Sequence, residues 1–250
     1  MTPKPKQILV IAHRGAKGEA PENTLGAFRL GLAQGCDAIE LDVHLSKDGE
    51  VVVCHDFTLD RTTDKTGFIH DMTVAELKRA DAGRWFHESY EGERIPLMEE
   101  VFDLVPPGIM INIEMKHSYG RKLEQALVEL IRRKDRLRDV VVSSFDHKSL
   151  LYLKLLEPEI RIGLLYDANV VSHSGLAALT GLPVYSLHPS YRRIDKEDVR
   201  DCVRQGLQVY PYTINDEGQM RQAIDAGVSG IITDFPGRLR QLLSGAGGQG

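Results

Sequence analysis

The chain has 250 residues, 42% of them hydrophobic, and a formal net charge of −5. This length and composition fit a soluble globular protein of one large domain or two small ones. The acidic balance, with no basic run longer than Arg132-Arg133-Lys134, speaks against a nucleic-acid partner, and no apolar stretch approaches the ~20 residues that span a bilayer, so stable membrane insertion is not expected.

The apolar run Gln7–Ala12 predicts a first buried strand. It is shorter than a signal-peptide core and runs straight into His13-Arg14-Gly15. Pro21-Glu22-Asn23-Thr24 then reads as a helix start, with Asn23 or Thr24 capping a helix over Thr24–Gln34. A second strand follows at Ala38–Val43. From Val43 to Met110 the chain is much longer than one crossover needs. This excursion holds a short extra strand at Val51–Cys54, a polar stretch around Asp60–Asp71, and helices near Val74–Ala80 and Met98–Leu104. Beyond it strands are expected at Met110–Glu114, Val140–Ser143, Arg161–Leu165, Val184–Leu187, Gln208–Tyr212 and Gly230–Thr233. Helices are expected at Arg121–Lys134, His147–Leu156, Leu176–Thr180, Lys196–Gln205, Gly218–Ala226 and Gly237–Leu243.

The strands are almost continuously apolar and β-branched, as in a parallel sheet covered on both faces. Eight of them, each followed by a helix, predict an α/β fold: a (β/α)8 TIM barrel with a small insertion after strand 2. An open doubly wound sheet is the alternative, but no glycine-rich phosphate loop follows the first strand. Residues 1–243 are expected to form one catalytic domain, with about 57–108 as an insertion subdomain and 244–250 as a disordered tail. Cys36, Cys54 and Cys202 are scattered and odd in number, without metal spacing or a disulfide framework. That fits a reducing, cytoplasmic location.

The chemistry concentrates at strand ends, where barrel active sites lie. Alternate residues of a strand share a face, so Glu40 and Asp42 project together, as do Asn112, Glu114 and Lys116. Glu40, Asp42 and Glu114 offer only oxygen ligands, which suit one divalent cation, Mg²⁺ or Ca²⁺. The alternative is a buried salt bridge from Glu40 or Glu114 to Lys116 or Arg14, although the cluster holds more acids than bases. Asn112 lies deeper and is expected to orient Glu114. His13 ends the first strand, and His55 follows the extra strand within Cys54-His55-Asp56. Two histidines on either side of a substrate can serve as base and acid. Arg14 and Lys116 supply positive charge where a phosphate would sit.

His44 and His188 lie at strand ends and could reach the mouth, whereas His70, His87, His117, His147 and His173 read as surface or capping residues. Phe145 and Tyr212 are candidates for an apolar wall around a leaving group, or for ordinary rim packing. Asp234 is expected to cap the last helix, with Pro236 in its first turn. Glu22 has a lesser claim to a place at the mouth.

His13-Arg14-Gly15, Pro21-Glu22-Asn23-Thr24, Glu40-x-Asp42, His55-Asp56, Glu114-x-Lys116 and Thr233-Asp234-x-Pro236 together resemble the motif series of glycerophosphodiester phosphodiesterases, in the right order over nearly the whole chain. The resemblance implies a (β/α)8 barrel with an insertion after strand two and a divalent cation on Glu40, Asp42 and Glu114. It also implies His13 and His55 as the acid–base pair, with Arg14 and Lys116 on phosphate. The expected substrate is a small glycerophosphodiester, hydrolysed to sn-glycerol 3-phosphate and an alcohol. The family often has tryptophan where Tyr212 stands, which bears on leaving-group preference. Other readings are a lysophospholipase D-like or phospholipase C-like phosphodiesterase, for which Trp85-Phe86 and Phe68-Ile69 offer an apolar rim, a metal-dependent sugar isomerase or aldolase, and a non-catalytic binding module.

Overall fold

In the computed structural model, which describes residues 8–245, the β-branched runs form the staves of a barrel. The strands are β1 (Leu9–His13), β2 (Ala38–Leu45), β3 (Val51–Val53), β4 (Met110–Met115), β5 (Val140–Ser144), β6 (Arg161–Tyr166), β7 (Ser186–Pro189), β8 (Gln208–Val209) and β9 (Gly230–Thr233). Every residue of β2, β4 and β5 is buried, as expected where helices cover one face and the barrel interior fills the other. Hydrogen-bonded neighbours follow the order β8-β7-β6-β5-β4-β2-β1-β9. At the remaining seam the N–H of Ser229 donates to Val209 O (3.0 Å), that of Ile232 to Pro211 O (3.1 Å) and that of Ile214 to Ile232 O (3.0 Å). The result is a nearly closed barrel of eight parallel strands. The short β3 is extra and pairs antiparallel with the end of β2.

Strand β8 stops at Val209, short of the expected Tyr212. Pro211 has no N–H for a ladder, so the chain continues with single bonds, from Tyr210 N–H to Leu187 O (2.9 Å) and from Tyr212 N–H to Pro189 O (3.1 Å). The helices are α1 (Leu25–Ala33), α2 (Val74–Leu77), α3 (Met98–Leu104), α4 (Lys122–Arg133), α5 (His147–Leu156), α6 (His173–Leu179), α7 (Lys196–Arg204), α8 (Glu217–Ala226) and α9 (Pro236–Gly245). Thr24 is the cap of α1, its hydroxyl accepting from Ala27 N–H. Gln7, expected to open the first strand, and residues 246–250 of the expected tail lie outside the described residues, while Ser244 and Gly245 end α9.

Three clusters make up the core. The largest lies between strands and helices and includes Phe28, Ile39, Leu41, Ile113 and Met98. A second belongs to the excursion: Val52, Cys54, Leu59, Ile69, Leu77, Ala80, Ala82 and Ile95. The third plugs the barrel with Ile11, Ala38, Met110, Val141, Tyr210 and Ile232. Two residues further along the same strand faces the interior turns polar, with His13, Glu40, Asn112 and Ser143. The parallel register sets Glu40 beside Asn112, Asp42 beside Glu114 and Glu114 beside Ser143. Phe28 is fully buried against the main core. Phe28→Ala should lower stability by about 3–5 kcal/mol, read as a lower urea midpoint. A loss below about 1 kcal/mol would contradict that packing.

Candidate active site

Strand β1 delivers His13 to the mouth and then turns sharply. Arg14 and Gly15 both adopt left-handed backbone, with φ of 51° and 83°. A Cβ on Gly15 would lie 2.6 Å from the Ala27 carbonyl carbon, so the turn requires glycine. The turn brings the Arg14 backbone N–H to Glu40 Oε2 at 2.9 Å. The same loop supplies Asn23, whose amide nitrogen donates to Asp42 Oδ2 at 2.9 Å.

Glu40, Asp42 and Glu114 each offer an oxygen within 4.8 Å of the others, and all three are buried. Lys116 Nζ lies 2.7 Å from Glu114 Oε1 and 3.3 Å from Asp42 Oδ1, and Arg14 Nε lies 3.2 Å from Asp42 Oδ2. Neither Asp42 Oδ1 nor Arg14 Nε makes a hydrogen bond at these distances. The Glu114–Lys116 bridge expected from sequence is present, the other two close pairs go to Asp42 instead, and polar atoms are left unsatisfied at the centre of the cluster. Burial would raise the Asp42 carboxyl, but Arg14 and Lys116 outweigh it and hold it down to about 2. Burial, then Asp42, lifts Glu114 to about 7, and burial with Asp42 and Glu114 drives Glu40 well above the usual carboxylate range. Three acids against two bases, with oxygen donors only, fit a hard divalent cation, and the cluster could hold one.

Each candidate catalytic histidine is held by an aspartate. His13 Nδ1 lies 2.6 Å from Asp234 Oδ1, and His55 Nδ1 lies 2.6 Å from Asp56 Oδ1. An ionised carboxylate only accepts, so each Nδ1 carries the hydrogen, and each Nε2 is left to take or give a proton. His13 Nε2 sits 4.0 Å from Glu40 Oε2. Burial lowers the affinity of both rings for a second proton, against the pull of Asp234 on His13 and of Asp42 on His55. Asp234 is thus not the cap of α9. Its other oxygen accepts from Asn215 (2.8 Å), and the Gly237 N–H of α9 donates to Gln34 Oε1 instead (3.1 Å).

Several side chains fall elsewhere than expected. His188 is fully buried inside the barrel, 2.8 Å from Ser186 Oγ, and burial lowers its pKa to about 3. Asn112 meets His188 at 3.5 Å rather than Glu114. His44 remains in β2, fully buried. Its Nε2–H donates to the His55 carbonyl (3.2 Å) and its Nδ1 accepts from the Tyr119 hydroxyl (2.5 Å), so it props the His55 backbone from beneath. His173, read as a surface or capping residue, is buried against the Tyr166 hydroxyl at 2.7 Å. Phe145 and Tyr212 meet edge to face, ring centroids 6.2 Å apart, with Phe145 half exposed and the Tyr212 hydroxyl donating to Tyr166 O at 3.2 Å. Glu22 bonds to Arg14 Nη1 (2.8 Å) and to Arg61. Arg61, from the excursion, stood out in no sequence pattern.

The model of the glycerophosphoryl diester phosphodiesterase family matches residues 13–238. A glycerophosphodiester phosphodiesterase of Caldanaerobacter subterraneus subsp. tengcongensis is 43% identical, over 96% of this chain and 100% of its own length. A human lysophospholipase D is 28% identical, over 93% of this chain and 85% of its own. Among solved structures, a phosphodiesterase of Oleispira antarctica, in complex with the product sn-glycerol-3-phosphate, superposes with a TM-score of 0.86 at 32% identity, covering 94% of this chain and 96% of that one. The chain belongs to the glycerophosphoryl diester phosphodiesterase family and is an enzyme of that family.

Proposed function

We propose that the protein hydrolyses small glycerophosphodiesters to sn-glycerol 3-phosphate and an alcohol, with His13 and His55 as the acid–base pair and one divalent cation, Mg²⁺ or Ca²⁺, on Glu40, Asp42 and Glu114. The observation that carries this reading is the pair of aspartate-held histidines beside a buried three-carboxylate cluster. A bound cation would neutralise charge on a phosphoryl oxygen. Arg14 and Lys116 add positive charge at the same place, where it counts most as charge builds on phosphorus. One histidine, through Nε2, takes the proton of the nucleophile, either water or the glycerol 2-hydroxyl. The other returns a proton to the departing alcohol. Phe145 and Tyr212 form an apolar wall for that alcohol.

The relative from Caldanaerobacter and the product named with the Oleispira structure support the substrate class. The proposed location is the cytoplasm, supported by the three free cysteines. No described helix is long and apolar enough to cross a membrane. The test is release of glycerol 3-phosphate from a panel including glycerophosphocholine and glycerophosphoethanolamine, after chelation and again with Mg²⁺ or Ca²⁺ restored. Absence of release from every member with either metal sinks the proposal. A second reading, action on lysophospholipids, is favoured by the exposed rings of Phe57, Phe68, Trp85 and Phe145. A rate that rises when lysophospholipid forms micelles would select it.

A further inference from the structure

The mechanism above gives Arg61 no task, yet Arg61 touches both halves of the site at once. Its guanidinium forks across two carboxylates. Nε donates to Asp56 Oδ2 at 2.7 Å and Nη2 to Asp56 Oδ1 at 3.0 Å. Nη1 donates to Glu22 Oε2 at 2.9 Å and Nη2 to Glu22 Oε1 at 2.7 Å. The remaining partner of each carboxylate is a working group. Asp56 Oδ1 holds His55 Nδ1 at 2.6 Å, and Glu22 Oε1 holds Arg14 Nη1 at 2.8 Å. A continuous chain of alternating charge therefore runs His55–Asp56–Arg61–Glu22–Arg14, and within it Arg61 joins the segment after β3 to the loop after β1.

The backbone that carries Arg61 is pinned on both sides. Leu59 is buried in the excursion's own core and its N–H donates to Gly67 O at 3.0 Å. Thr62 is buried, and the Thr63 hydroxyl donates to Leu59 O at 2.9 Å. The guanidinium is the leading cause of the lowered Asp56 pKa, and against burial it helps to hold Glu22 down to about 2. Both anions are thus fixed as full charges on a rigid fork. The Arg61 side chain is 45% exposed, and ion pairs of exposed side chains add little to folding. The fork does fix direction, since a planar guanidinium satisfies two carboxylates in one geometry that an ammonium cannot copy.

We propose that Arg61 is a positioning residue that locks Asp56 to Glu22 and so holds the His55 ring and the Arg14 guanidinium in register on one substrate phosphate. The excursion thereby contributes to turnover through a residue that lies outside the barrel's strands. This inference rests on the roles given to His55 and Arg14 under the proposed function.

The experiment measures kcat, KM and melting temperature for Arg61→Ala, Arg61→Lys, Asp56→Asn, the Arg61→Ala/Asp56→Asn double variant and His55→Ala. Arg84→Ala, which removes an exposed pair with Glu91 in the same excursion, is the control. Arg61→Ala and Arg61→Lys should each lower kcat by about 10- to 100-fold, the effect of misplacing a catalytic group by about 1 Å. Melting temperatures should match that of Arg84→Ala, whose kcat should stay normal. In the double variant the losses should be less than multiplicative, because both changes break one chain of contacts. A general loss of folded protein would multiply. Normal kcat in Arg61→Lys, fully multiplicative losses, or a kcat in Arg61→Ala within about twofold of the parent would each overturn the proposal. An active His55→Ala would instead overturn the reading of His55 on which it rests. An inactive His55→Ala beside a normal Arg61→Ala would strike only at Arg61.

Discussion

Replacing either His13 or His55 with alanine is expected to lower kcat by about 10²- to 10⁴-fold, the usual contribution of a positioned acid or base, with little change in melting temperature. The fold should tolerate both changes. His13→Ala leaves Asp234 with Asn215 at 2.8 Å and Lys17 at 3.9 Å as partners, so no buried charge is stranded. His55→Ala leaves Asp56 on Arg61. Asp234→Asn separates positioning from proton transfer. An amide can donate to Nδ1, which would place the neutral ring's hydrogen on Nε2, and it cannot balance the positive charge of the protonated ring as a carboxylate does. This variant should follow His13→Ala in direction while keeping the imidazole in place. The check is glycerol 3-phosphate release under saturating substrate, alongside circular dichroism. Near-normal turnover in either alanine variant would remove that histidine from the reaction.

What could be read from sequence tracks what is local along the chain. Strand alternation puts Glu40 and Asp42 on one face of their strand and Asn112, Glu114 and Lys116 on one face of theirs, while the register that sets Asp42 beside Glu114 comes from the folded sheet. Depth inside the barrel was harder to read. His188 looked like a strand end, but β7 runs on through Pro189 and leaves the ring buried. Asn112 shares the interior face of Glu114, yet its side-chain partner comes from β7, three strands around the barrel. Asp234 carries a local capping signal in Asp-x-Pro that its tertiary contacts override. Its actual partner is 221 residues away in sequence, and a closed barrel brings last strand and first strand together. Arg61 sits in a polar stretch with no period. Only the folding of the excursion onto its own small core sets it against Glu22, 39 residues earlier.

Chelation is expected to abolish turnover, and the unfolding curve should show why. Without a cation, the trio Glu40, Asp42 and Glu114 is buried with only Arg14 and Lys116 nearby. Glu114 then titrates at about 7, because burial and Asp42 disfavour its charge, against about 4.5 for an ordinary glutamate. A carboxyl whose folded pKa is raised binds more protons in the folded state than in the unfolded state between those two values. The chelated protein should therefore lose stability as pH rises from about 4.5 to about 7. A divalent cation reverses the trend because it binds the ionised carboxylates and displaces the proton. Cation at 100 times its Kd should add about 2.7 kcal/mol, or roughly 5–10 °C in melting temperature for a chain of this size. The gain should be larger at pH 8 than at pH 6. Asp42→Asn should remove both the gain and the activity, since Asp42 alone of the three is held ionised, at about 2, by its neighbours. Differential scanning fluorimetry of chelated protein, with Mg²⁺ or Ca²⁺ added at the two pH values, measures this without recourse to turnover. A melting temperature indifferent to both cations at pH 8 would refute the assignment of the acidic cluster as a metal site.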